Sequence, residues 1–97
     1  MERSTFEDEV LGMCGNDYEA PHTIASDLAR ELRRPVTESE VRKALLALAS
    51  KGLVQAFVFE NPTNRYVPIS SGAATQEEAA WFLITLEGHH AHVQNAT

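Results

Sequence analysis

Between Thr37 and Val54 the chain reads TESEVRKALLALASKGLV, and this stretch leaves few choices of fold. Val41, Leu45 and Leu48, with Ala44 alongside, recur at three- and four-residue spacing, which gathers them on one side of an α-helix. Thr37 and Glu40 form the S/T-x-x-E pattern of a capping box, in which each side chain satisfies an otherwise orphan backbone amide of the other. Lys51-Gly52 closes the helix, because glycine takes the left-handed turn that ends helices without steric cost. The next residues, LVQAFVFE at 53–60, are strand formers. A helix over about 38–50 therefore buries one stripe and runs almost directly into a strand. That burial leaves Glu38, Ser39, Arg42, Lys43 and Ala49 on the outward side.

The flanking sequence supplies packing partners. Ser4 or Thr5 suits the N-cap of a first helix over about 4–14, with Glu7, Asp8 and Glu9 in its first turn and Phe6, Val10, Leu11 and Met13 as its apolar face. Gly15-Asn16-Asp17 reads as its stop. Pro21 opens a second helix over about 22–33, in which Ile24, Leu28 and Leu32, beside Ala25 and Ala29, make a narrow buried face. Arg33-Arg34-Pro35 ends it, since the residue before proline is pushed out of the helical region, and Val36 is the buried residue of the turn. After the strand at 53–60, Asn61-Pro62-Thr63-Asn64 is a turn, and RYVPIS at 65–70 is a second run that Pro68 demotes to an edge strand or the arm of a wing. SSGAA reads as a loop. Thr75 with Glu78 spells a second capping box and predicts a helical turn through QEEAA. WFLIT at 81–85 is a third strand, followed by a short closing helix and a polar tail holding three histidines. The expected architecture is one α+β domain over 1–97.

Charge is distributed unevenly. The formal net charge is −6, yet six of the eight basic residues (Arg30, Arg33, Arg34, Arg42, Lys43 and Lys51) fall between positions 30 and 51, opposed there by Glu31, Glu38 and Glu40. That window carries +3, while the remainder, with Arg3 and Arg65 against eleven acids, carries −9. Such asymmetry bears on partners rather than on fold. It fits either a local anionic contact or ordinary solvated helix faces.

The order helix, helix, tight turn, capped helix and hairpin is carried by TIASDLAREL, RRPVTESE, VRKALLALASKGLV and the late WFLITLEG. Over roughly positions 5–92 it resembles a winged helix-turn-helix domain of the MarR/PadR-like bacterial regulator type. In that resemblance WFLITLEG corresponds to the strand and T-x-x-G element that leads into a closing helix. The resemblance implies a third helix lying in the major groove of double-stranded DNA and a wing against the backbone. Its base-facing candidates are Thr37, Ser39, Arg42 and Lys43, with Arg42 suited to fork onto guanine. Its phosphate candidates are Arg33, Arg34, Asn64 and Arg65, which position a protein without carrying sequence information. Glu38 and Glu40 sit at the same end of that helix and oppose phosphate approach. Winged helices also serve as protein–protein interaction modules, so that reading stands beside DNA binding, and a homodimer is compatible with both.

Other constellations point to little chemistry. Cys14 is the single cysteine and sits among Val10, Leu11 and Met13, which reads as a small buried hydrophobe. His22, His89, His90 and His92 lack acidic or cysteine ligands at metal-binding spacing, so no metal is expected. The acid runs Glu7-Asp8-Glu9 and Glu77-Glu78 suit helix first turns. Neither a phosphate-cradling glycine loop nor a nucleophile elbow is present, so the reading is non-enzymatic with no cofactor. No stretch approaches the length of a membrane span, and the acidic first residues differ from a signal peptide, which makes a cytoplasmic location and no membrane partner the expectation. Phe57, Phe59, Tyr66, Trp81 and Phe82 remain. They either line the core beneath segment 70–80 or form an apolar patch for a partner or second subunit.

Overall fold

The computed structural model describes residues 5–14, 18–61, 63–77 and 79–96, with side chains as far as Ala91. Arg3, the Ser4 cap, the Gly15-Asn16-Asp17 stop, Pro62, the Glu78 half of the second capping box and the His92 side chain lie outside the described residues. Three helices come first: α1 (Thr5–Met13), α2 (Pro21–Leu32) and α3 (Glu38–Ser50). They are followed by β1 (Val54–Glu60), β2 (Arg65–Ile69), the four-residue α4 (Ser71–Ala74), β3 (Trp81–Ile84) and α5 (Leu86–Ala96). The chain is thus α+β, with a three-stranded antiparallel sheet in the order β2-β1-β3. Pro68 sits on β2, at the sheet edge, where its missing amide breaks no interior ladder. No described helix is long and apolar enough to cross a membrane.

The helix stripes and one sheet face close a common core. Val10, Leu11 and Cys14, Ile24, Ala25 and Leu28, and Val41, Ala44, Leu45 and Leu48 meet Val54, Ala56 and Phe82. Phe82 is the largest fully buried side chain. Strand alternation sends Val54 and Ala56 inward and Gln55, Phe57 and Phe59 outward. Of the strand aromatics, then, only Phe82 lines the core. Phe57 lies opposite Trp81 and Phe59 opposite Tyr66 across the sheet, so their rings share the outer face. Tyr18 joins them, stacked on Tyr66 with ring centroids 3.7 Å apart and edge-on to Phe57 at 4.9 Å.

Ahead of α2, Glu19 pairs with Phe82 through reciprocal backbone hydrogen bonds of 2.8 and 2.9 Å, covering the free edge of β3. Two local expectations are corrected, the loop at SSGAA and the short closing helix. A helical turn forms at SGAA, and the described part of QEEAA is not helical. The Ser70 hydroxyl accepts from the Ala73 amide at 3.1 Å, while Thr75 ends the turn and donates to Gly72 O at 2.6 Å. A serine N-cap three residues before an amide works without the glutamate of a full box, which the sequence pattern favoured. The closing helix is longer than a short tail, and Gly88 lies inside it.

The junction between α3 and the sheet explains the T-x-x-G pattern physically. Gly52 turns the chain at φ +77°. Thr85 then ties it down: its amide donates to Leu53 O at 3.1 Å and its hydroxyl to Gly52 O at 2.7 Å. The same hydroxyl accepts from the Gly88 amide at 3.0 Å, capping α5. A Cβ at Gly88 would overlap the Leu53 carbonyl oxygen and approach Ile84 Cγ1 to 2.7 Å. Gly88→Ala is therefore expected to destabilise the fold by about 3 kcal/mol, because backbone rather than a flexible side chain must give way. Urea unfolding followed by circular dichroism measures it.

Cys14 is fully buried. Loss of hydration, with the nearby Glu19 charge, pushes its thiol from 9.0 up to about 12. The native protein is expected to resist aromatic-disulfide reagents at pH 8 and to react fully once unfolded. Between pH 9.0 and about 12 the unfolded chain sheds this proton while the native chain keeps it. Stability from this group therefore falls as pH rises through that window, by at most about 1.4 kcal/mol per unit.

Candidate nucleic-acid interface

The outward side of α3 begins at its cap. The Glu40 amide donates to Thr37 Oγ1 at 3.1 Å, and the Thr37 amide donates to Glu40 Oε1 at 3.3 Å. The Thr37 hydroxyl also donates to Glu40 Oε1 at 3.1 Å. Thr37 and Glu40 are thus occupied in starting the helix. Ser39 and Lys43 are exposed, and neither side chain has a hydrogen bond or ion pair among the described residues. Glu38 is exposed and unpaired on the same terms, held in a first turn where the helix dipole favours a carboxylate.

Arg42 is placed differently from a side chain waiting at a groove. It is half-buried, and its Nη2 donates to Ala74 O at 2.9 Å and Thr75 O at 3.2 Å. The last turn of α4 carries no basic residue of its own, and Arg42 reaches over from α3 to its C-terminal end, adding a second donor to Ala74 O, which also accepts the Glu77 amide at 3.2 Å, and a donor to the cap residue Thr75. Together with Glu38, Ser39, Thr75 and Gln76 it lines an open groove of about 630 Å³. Reading a base would require Arg42 to leave two acceptors.

The turn before α3 is similarly divided. Arg33 adopts the left-handed conformation at φ 55° as the C-cap of α2, and its side chain is exposed and uncommitted among the described residues. Arg34 donates Nη1 to Pro35 O at 3.0 Å, lies 3.8 Å from the Glu40 carboxylate and holds its guanidinium 5.6 Å above the Phe6 ring. Lys51 pairs with Glu7 at 2.9 Å, both side chains only about one-fifth exposed (22% and 19%). Because Glu7 lies outside the basic window, that pair reduces its surplus from +3 to +2. Asn64, at φ 53°, and Arg65 stand at the end of the β1–β2 hairpin, and no hydrogen bond or ion pair among the described residues ties either to α3.

Arg34 and Thr37 thus meet at Glu40, Ser39 and Arg42 line one groove, and Lys43 lines another with Phe6, Glu7 and Glu40, while no hydrogen bond or ion pair among the described residues joins Asn64 or Arg65 to them. The side chains of Arg30, Arg33, Lys43 and Arg65 are uncommitted among the described residues. Arg30 lies in the last turn of α2 and was not among the sequence-derived contacts, although the same basic window contains it. Among the described residues no three His, Cys, Asp or Glu side chains gather as a metal site. Comparison with known families, curated proteins and solved structures finds no match to this chain.

Arg42→Ala is expected to cost about 1–2 kcal/mol of stability by removing the charged donor that ties Ala74 O and Thr75 O to α3, with Arg42→Lys recovering part of it. Denaturant midpoints of the two variants check this.

Proposed function

We propose that this chain is a winged helix-turn-helix module that binds double-stranded DNA, with α3 toward the major groove and the α2–α3 turn against the backbone. The observation that carries the reading is the exposed, uncommitted Ser39 and Lys43 one turn apart on a capped helix, with Arg30 and Arg33 equally uncommitted at the end of α2. Lys43 and Ser39 are the base-facing pair, and Arg30 and Arg33 approach phosphates. Arg42 acts chiefly by keeping α4 against α3, and Thr37 by starting the helix. The unpaired Glu38 opposes phosphate, so affinity rests on few contacts and falls early with salt.

A second reading is favoured by one specific feature. The outer face of the sheet carries Phe57, Phe59, Tyr66 and Trp81, with Phe59 42% exposed. This suits a protein-interaction module.

Fluorescence anisotropy with a labelled mixed-sequence duplex at about 50 mM salt separates the two. Saturable binding is expected, weakened by Lys43→Ala and by Arg33→Ala, with Arg33→Ala, which removes a phosphate contact, flattening the logarithmic salt slope by about 0.9. Absence of binding, or unchanged affinity in both variants, transfers the function to protein interaction.

A further inference from the structure

A second element borders the outward side of α3. Between α4 and β3 the chain passes through Thr75 and Gln76, which line the groove of about 630 Å³ together with Glu38, Ser39 and Arg42. The backbone of this segment is tied down. The Gln76 amide donates to Ala73 O at 3.1 Å and the Glu77 amide to Ala74 O at 3.2 Å. The Thr75 hydroxyl donates to Gly72 O, and Arg42 holds the carbonyls of Ala74 and Thr75 from α3. Ala74 is fully buried and anchors the segment in the core. On this fixed backbone the Gln76 side chain is exposed, with no hydrogen bond or ion pair among the described residues.

The chemistry of the lining selects what enters. Glu38 and Arg42 cancel in charge, and Arg42 is engaged with two carbonyls. The groove therefore has no positive surplus for phosphate, whose contacts are made by cations. It offers instead a hydroxyl, a carboxylate and a carboxamide. Those are the groups that read base edges in the major groove: glutamine pairs bidentately with adenine N6 and N7, serine takes either kind of edge, and a carboxylate accepts from cytosine N4.

We propose that Gln76 is a further base-reading residue, meeting adenine from the wall of the groove opposite Ser39. The inference rests on the DNA reading of α3 and adds a specificity determinant from outside the helix-turn-helix. Arg42 need not leave its carbonyls for this contact, because the reader is the neighbouring carboxamide. The backbone beneath Gln76 is already ordered, so binding immobilises only a side chain.

Selection of bound duplexes from a random-sequence pool at about 50 mM salt tests it. The wild-type chain is run beside Gln76→Ala and Gln76→Glu, each first shown to keep its native circular dichroism. Gln76 is exposed, so neither substitution disturbs the core. The wild-type site is expected to prefer adenine at one position by at least about fivefold, the low end for a bidentate base contact. Gln76→Ala loses that preference and keeps those at the other positions. Gln76→Glu turns it toward cytosine, whose amino group a carboxylate accepts. Identical preferences at every position in wild type and Gln76→Ala overturn the proposal and leave the DNA reading standing. So does a Gln76→Ala chain that binds all sequences more weakly by one factor, which marks a backbone contact. A wild-type chain that retains no duplex removes the DNA reading itself, and the proposal with it.

Discussion

Two consecutive carbonyls, those of Gly52 and Leu53, hold four elements in register. Gly52 turns the chain out of α3 at positive φ, and Leu53 carries it into β1. Thr85 takes both carbonyls, one through its hydroxyl and one through its amide, and so fixes the end of β3. Gly88 then allows α5 to lie directly against Leu53. Helix α3 cannot rotate or slide without breaking this set, so the choice of which α3 residues face outward is made at its C-terminal end as much as by its apolar stripe.

What that fixed helix presents is narrower than its composition suggests. The basic window between positions 30 and 51 is partly internal scaffolding: Arg34 spans Phe6 and Glu40, Arg42 caps α4, and Lys51 joins α3 to α1 through Glu7. Arginine suits the first two roles because a planar guanidinium can donate to carbonyls and stack on a ring at once. The remaining cations lie near the α2–α3 turn, and the uncharged aromatic face belongs to the sheet. Charged and apolar surface are thereby assigned to different elements.

Local signals in the sequence carried much of this. The Thr37/Glu40 box, the Gly52 stop and the edge position of β2 are each marked by residues within the element itself, whereas the Thr85-to-Gly88 element was marked by family resemblance, and its Thr85 hydroxyl reaches Gly52 O 33 positions away. The buried stripe of α3 followed from periodicity alone. The roles of Arg42 and Lys51 did not, because their acceptors lie 32 and 44 positions away along the chain. Tyr18 was equally hidden: a tyrosine in a short connector has no periodicity to mark it as part of an aromatic face. The α4 turn was displaced toward Thr75 because a complete capping box outranks a lone serine in pattern, whereas packing of Ala74 into the core chose the earlier turn.

The central claim is that the outward side of α3, reduced to Ser39 and Lys43 with the arginines at and before the turn, is a DNA-contacting surface. Backbone amide shifts of the isotope-labelled protein, recorded as a short mixed-sequence duplex is added at low salt, test it residue by residue. The account predicts saturable shifts concentrated at Arg30, Arg33, Ser39 and Lys43, with the Phe57–Trp81 face unmoved. Shifts absent from α3, or confined to the sheet face, would contradict it.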